Sequence, residues 1–138
     1  MKLLVISDTH GELEKLKELS TKYKDYTKIH LGDRGFDKSE LDALGFIYVD
    51  GNCDTQDNKD KLLEIEDFKI FITHGDKYSV KYSLDKLYFK ALSLGAHYVF
   101  YGHTHIQRII ETNGIKFINP GSLLNDNYCV IDDEIKMF

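Results

Sequence analysis

Five short apolar runs in this chain each lead directly into a polar segment in which glycine stands beside histidine, aspartate or asparagine. Leu3–Ile6 runs into Asp8-Thr9-His10-Gly11, Lys28–Leu31 into Gly32-Asp33, and Phe46–Val49 into Gly51-Asn52-Cys53-Asp54. Phe68–Ile72 is followed by His74-Gly75, and Tyr98–Tyr101 by Gly102-His103-Thr104-His105. Runs of this length bounded by such signals read as buried strands. Open α/β sheets gather ligands beyond the carboxyl ends of their strands, so the pattern demands a fold that brings five strand ends to one edge. Residues two apart in extended chain point the same way, which lets Asp8 act with His10 and His103 with His105. Gly11, Gly32, Gly51, Gly75 and Gly102 adjoin these polar residues, five of the ten glycines present. Glycine permits the sharp turns and close backbone approach that crowding several polar side chains requires.

Between the runs, the first half alternates strand and helix. Leu13, Leu16, Leu19 and Tyr23 recur at helical spacing, and Leu41 and Leu44 mark a short helix with Ser39 as its expected cap and Gly45 at its exit. Leu62–Ile65 and Phe68–Ile72 are expected to be neighbouring strands joined by an acidic turn. Leu84, Leu87, Tyr88, Ala91 and Leu92 predict the best helix, with Ser83 as cap, Asp85 in its first turn and Gly95 closing it. Arg108–Thr112 and Ile115–Ile118 flank Asn113-Gly114, a strong hairpin signal, and Tyr128–Ile131 with Glu134–Met137 predicts a second hairpin. Asn119-Pro120-Gly121-Ser122 reads as a short loop. The chain therefore begins α/β and ends mostly β, with a mixed sheet.

No repeat, low-complexity tract or linker divides the 138 residues, so one domain over residues 1–138 is expected. The longest apolar runs are far too short to span a bilayer. No charged-then-apolar leader opens the chain, which predicts a cytoplasmic address and no membrane partner. Cys53 and Cys129 show no framework spacing and are expected to be reduced, Cys53 as a small packed residue and Cys129 in a strand core. The net charge of -5 argues against a surface that tracks extended nucleic acid.

Each polar segment alone has an ordinary explanation. Asp8-Thr9-His10 could open a helix, with Thr9 and Glu12 at capping-box spacing, and Gly51-Asn52 or Gly32-Asp33 could be simple turns. Two histidines on one short loop after an apolar strand are harder to dismiss, and the combination of all five segments points to a metal site. Carboxylate, imidazole and carboxamide ligands without thiolate suit manganese, iron, cobalt, nickel or zinc and do not choose among them; manganese is the expected ion. Two divalent ions held by Asp8 and Asp33, with one bridging hydroxide, would leave a centre of about +1 to attract a phosphate. His30 and His97 are expected to be structural, His30 close enough to Asp33 to support it. Asp54 is open between accepting a hydrogen bond from a ligand histidine and a capping or turn role. The basic residues of 15–28 are expected to solvate a helix face.

From Asp8 to Ser122 the sequence resembles the calcineurin-like metallophosphoesterase superfamily, in its small, capless phosphodiesterase branch. The resemblance implies an α/β sandwich of two mixed β-sheets flanked by helices. It implies that Asp8, His10 and His105 hold one ion, Asn52, His74 and His103 the other, and that Asp33 bridges them. The implied activity is hydrolysis of a small phosphodiester or nucleotide-type ester by in-line attack of a hydroxide bridging the two ions. Three departures stand out. Phosphatase-type relatives have Gly-Asn-His where this chain has Gly51-Asn52-Cys53, so the histidine that protonates the leaving group has no counterpart. Many close relatives have His-Gly-His where this chain has His74-Gly75-Asp76. The chain is also shorter than most relatives, with little material for a lid. Two rival functions follow from the same residues: a scaffold, as in a retromer subunit of this superfamily that lacks part of the histidine set, and a nuclease or nucleotide phosphatase.

Overall fold

The computed structural model describes residues 1–138. Ten strands form two five-stranded mixed sheets. In the first, β1 (Leu3–Ile6) is central, parallel to β2 (Thr27–His30), which is parallel to β3 (Ile47–Tyr48). On the other side of β1 lie β9 (Cys129–Ile131) and then β10 (Ile135–Met137), both pairings antiparallel. In the second sheet, β5 (Phe68–Ile72), β6 (Tyr98–Phe100) and β8 (Ile115–Asn119) run parallel in that order. β4 (Lys61–Ile65) and β7 (Arg108–Thr112) close its two edges antiparallel. The sandwich of two mixed sheets that the family resemblance implies is the observed architecture.

The strands alternate their side chains between two apolar layers, which fixes their register. Leu3 and Val5 face the inter-sheet core with Ile29, Ile70, Ile72, Phe100 and Ile118. Leu4 and Ile6 face the opposite way, where α1 (Leu13–Lys22) and α2 (Lys38–Ala43) cover them with Leu16 and Leu41. α3 (Asp85–Leu94) covers the outer face of the second sheet, packing Leu87 and Ala91 on Val99 and Phe117. Burial on both faces explains why β1 is an unbroken apolar run. Each such side chain, taken fully out of water, contributes about 1.5–3 kcal/mol.

Local chemistry sets the element ends. Asp37, not Ser39, caps α2, because its carboxylate stands one residue before the helix and accepts the Ser39 N–H at 3.2 Å. Ser83 does accept the Asp85 N–H, at 3.4 Å, although Leu84 occupies the cap position itself. Gly95 ends α3 in the left-handed region at φ 66°, as its sequence position predicts. The expected strand over 46–49 shrinks to Ile47–Tyr48, since Phe46 turns into the layer beneath the helices and Asp50 begins a buried polar network.

Candidate metal centre

All six parallel strands point their carboxyl ends to the same edge of the sandwich. Five end at the polar segments found in sequence, and β8 delivers a sixth, Asn119–Ser122. The chain bends sharply there. Asp8, His10, Asp33, His103 and His105 all have left-handed backbones, with φ of 53°, 41°, 57°, 70° and 63°. Such residues cost on the order of 1–3 kcal/mol each and persist only where surrounding contacts over-determine them.

The bends create two groups able to hold a metal ion. Asp8, His10 and His105 form one, and Asp33, His74 and His103 the other, with the donor atoms of each group mutually within 4.8 Å. Asp8 Oδ1 lies 3.1 Å from His105 Nε2, 3.6 Å from His10 Nε2 and 3.9 Å from His74 Nε2. Asp33 Oδ2 lies 3.2 Å from His74 Nε2 and 3.9 Å from His10 Nε2, so each carboxylate faces histidines of both groups. Asp8, Asp33 and His74 are buried, whereas His10, His103 and His105 are partly open to solvent.

Two observations show that this donor set fits a cation. His10 Nε2 is buried with no hydrogen-bond partner, aimed between the two carboxylates. His74 Nδ1 donates to the Leu31 carbonyl at 2.8 Å, which leaves Nε2 of a neutral ring presenting its lone pair to Asp33 and, at 3.2 Å, to His103 Nδ1. Lone pairs that face one another need a cation between them, a proton or a metal. Burial works against a charged His74, yet its hydrogen bond to Asp33 and the Asp8 and Asp33 charges raise its pKa. Burial also opposes charge on Asp33, but His74 and the Cys53 N–H hold its carboxyl well below the usual range. His103 is lowered by its burial, then by the His74 and Lys81 charges.

A set of buried contacts clamps the loops. Asp54 accepts the N–H groups of Asp33 (2.7 Å), Arg34 (3.1 Å) and Gly51 (2.8 Å), so it takes the turn role rather than supporting a histidine. Arg34 donates to Asp50 at 2.5 Å, and Asp50 in turn accepts from Thr55 and Asn58. His30 Nδ1 accepts the Gly32 N–H at 3.0 Å, which leaves Nε2 to donate to Thr9 Oγ1 at 3.0 Å. Its burial, with the His74 and Arg34 charges, lowers its pKa to about 3. Ser122 Oγ donates to the Asp8 carbonyl at 2.7 Å, and Asn119 Nδ2 to the Gly102 carbonyl at 3.1 Å and Thr104 Oγ1 at 2.9 Å.

Six of the seven sequence-predicted ligands thus converge. Asn52 lies on the same rim but is exposed, and its amide contacts Cys53 Sγ at 3.7 Å. Its neighbours tie it to the centre, since the Cys53 N–H donates to Asp33 Oδ1 at 2.9 Å. Cys53 is exposed rather than packed, because its loop lies on the rim, where its N–H is tied to Asp33. Cys129 is a buried free thiol in the core, and His97 is structural, accepting the Lys69 N–H at 2.9 Å. Sequence reasoning missed Asn119 and Ser122, whose signal was a Pro-Gly loop in the same position after β8 as the ligand loops after their strands.

Gly102 is where this crowding is most exacting. A Cβ there would overlap Ser7 Oγ and stand 2.7 Å from Asp8 Oδ2, and Ser7 already donates to that oxygen at 2.5 Å. The next residue, His103, donates its N–H to Asp8 Oδ2 at 3.1 Å. Gly102→Ala should therefore push the Asp8 loop away from the histidine loop. The displacement should weaken metal binding and cost roughly 1–3 kcal/mol of stability through overpacking. Metal titration and thermal unfolding check this; an alanine variant with native metal affinity would contradict the contact.

A model of the calcineurin-like phosphoesterase superfamily domain matches residues 1–131. The chain belongs to this superfamily. It is similar to the probable metallophosphoesterase YsnB of Bacillus subtilis, 35% identical over 127 residues that cover 89% of this chain and 75% of that protein. It is 32% identical over 145 residues to the phosphodiesterase MJ0936 of Methanocaldococcus jannaschii, covering 88% of this chain and 83% of the relative. Among solved structures, a predicted phosphoesterase from Streptococcus pneumoniae superposes with a TM-score of 0.88 at 25% identity, covering 99% of this chain and 88% of the other. Vps29 of Entamoeba histolytica in complex with zinc shares the fold, with a TM-score of 0.77, 22% identity and coverage of 100% and 97%. This phosphoesterase domain has no helix long and apolar enough to cross a membrane.

Proposed function

We propose that the chain is a dinuclear metal-dependent phosphodiesterase acting on a small phosphodiester or nucleotide-type ester. The observation that carries the proposal is the pair of three-residue groups sharing Asp8 and Asp33 across their boundary, with His10 Nε2 left without a partner between them. Asp8, His10 and His105 would hold one ion, His74 and His103 with Asn52 the second, and Asp33 both. When bound, such ions lower the pKa of water, orient the phosphate and neutralise charge on the attacking and leaving oxygens.

The chain's own residues set the terms of that chemistry. The Leu31 carbonyl keeps the proton of His74 on Nδ1 and turns Nε2 to the centre. Asp54 holds the backbone on both sides of Asp33, and the Cys53 N–H fixes the Asp33 oxygen that points away from His74. Only two carboxylates among the donors leave the loaded centre cationic, which draws a phosphate anion to the open histidine rim. The name of the archaeal relative supports diester over monoester cleavage. A scaffold role, as the shared fold of Vps29 could also serve, does not call for the unsatisfied His10 or the strained ligand backbones. An acidic chain retaining these features is better served by a small-molecule reading than by a nuclease one.

Metal-stripped protein titrated with Mn²⁺, then assayed on bis(p-nitrophenyl) phosphate, tests the proposal. Two ions per chain and metal-dependent release of nitrophenol are expected. Saturation at one ion would refute the dinuclear part, and no hydrolysis with any of manganese, nickel, cobalt, iron or zinc would refute the enzyme.

A further inference from the structure

Beside the histidine rim runs a cleft of about 280 Å³ lined by Val80, Lys81, Tyr101, Thr104, Ile106 and Arg108. Thr104 lies between His103 and His105, so the cleft borders the loop that carries both histidines. No carboxylate lines it, although the chain as a whole is acidic. Lys81 and Arg108 are exposed and make neither an ion pair nor a side-chain hydrogen bond. Arg108 also borders a groove of about 770 Å³ walled by Tyr82, Tyr88, Phe89 and Phe117. Tyr82 and Phe89 are largely exposed there, at 91% and 67%.

We propose that Lys81 and Arg108 form an anion subsite that selects nucleotide-type diesters carrying a second phosphate, with the base lying on the aromatic groove. The proposal rests on the phosphodiesterase function above and names its substrate class. The chemistry of the cleft fits. Two unpaired cations with an apolar floor suit a phosphate better than a neutral polar group, since charge-assisted bonds are the strong ones and the guanidinium can take two oxygens at once. Exposed aromatic rings accept the face of a base without reading its edge, so base identity is not selected.

Calorimetry on the Mn²⁺-loaded protein with thymidine 3′,5′-bisphosphate and thymidine 5′-monophosphate tests this. The bisphosphate should bind about tenfold more tightly or better. The Lys81→Gln/Arg108→Gln variant should bring the two affinities together, while Lys22→Gln, which changes net charge far from the cleft, should preserve the difference. Equal affinities in the unmodified protein, or an equal loss in Lys22→Gln, would overturn the subsite. Hydrolysis of bis(p-nitrophenyl) phosphate, measured alongside, separates the two ideas: if it proceeds while the nucleotides bind equally, only the subsite fails. If it does not proceed with any metal, the phosphodiesterase function fails and the subsite with it.

Discussion

Asp33→Asn should remove metal from both groups at once and lower phosphodiesterase activity by ~10⁴-fold or more, because the ions are what bring the pKa of water from 15.7 to about 7. Asp33 is the residue with the most at stake in the centre. Its Oδ2 faces His74 at 3.2 Å and His10 at 3.9 Å, one from each group, while Oδ1 accepts the Cys53 N–H. The asparagine is close in shape but neutral, and it can turn an NH₂ donor toward the histidines where a charged acceptor is needed. The fold should survive, since Asp54 grips the Asp33 backbone rather than its side chain. His103→Ala, in contrast, removes a donor from one group only and should weaken one ion far more than the other. Metal content by emission spectroscopy on both variants, with circular dichroism to confirm folding, decides the matter. An Asp33→Asn protein that loses one ion and keeps the other would show that the carboxylate does not serve both.

What could be read in the chain without coordinates follows the range of the forces involved. β1 was legible to the residue, because a strand buried on both faces must be apolar at every position. The candidate ligands could be read as residue types in loops after strands. Their grouping came from the family resemblance and not from the residues themselves, since it depends on how far each loop bends, and the left-handed backbones of Asp8, His10, Asp33, His103 and His105 arise from tertiary contacts. Asp54 illustrates the difference. Its sequence neighbours left two roles open, and only the fold shows three backbone N–H groups converging on its carboxylate from two loops. Asn119 and Ser122 were invisible as site residues because their partners, Gly102 and Asp8, are 17 and 114 residues away. Cys53 was misjudged as packed for a similar reason: a small apolar residue beside a turn is a core candidate until the turn proves to lie on the rim.

That exposed thiol underlies the second large effect, which concerns the leaving group. Where phosphatase-type relatives of this superfamily place a histidine after the asparagine ligand, Cys53 stands in the open, with its pKa raised by burial first and by the Asp33 charge next. A thiol that holds its proton so firmly is a poor donor to a departing alkoxide. Two other candidate donors, Asp54 and His30, are engaged elsewhere. Asp54 already accepts three backbone N–H groups, and His30 is buried, neutral and bonded through both ring nitrogens. Without a proton donor the leaving oxygen must carry its own charge, so rates should fall steeply as its pKa rises, and aryl diesters should be cleaved readily while simple alkyl monoesters are cleaved slowly. General acid assistance is worth ~10²–10⁴-fold, so the effect stands clear of ordinary scatter. Cys53→His should flatten the dependence, accelerating poor leaving groups and leaving nitrophenyl esters nearly unchanged, because the backbone N–H on which Asp33 depends is kept. A series of aryl and alkyl diesters spanning several units of leaving-group pKa, run on both proteins, makes the comparison. A flat series in the unmodified protein would mean that a proton reaches the leaving oxygen by another route, and Cys53 would then mark no missing acid.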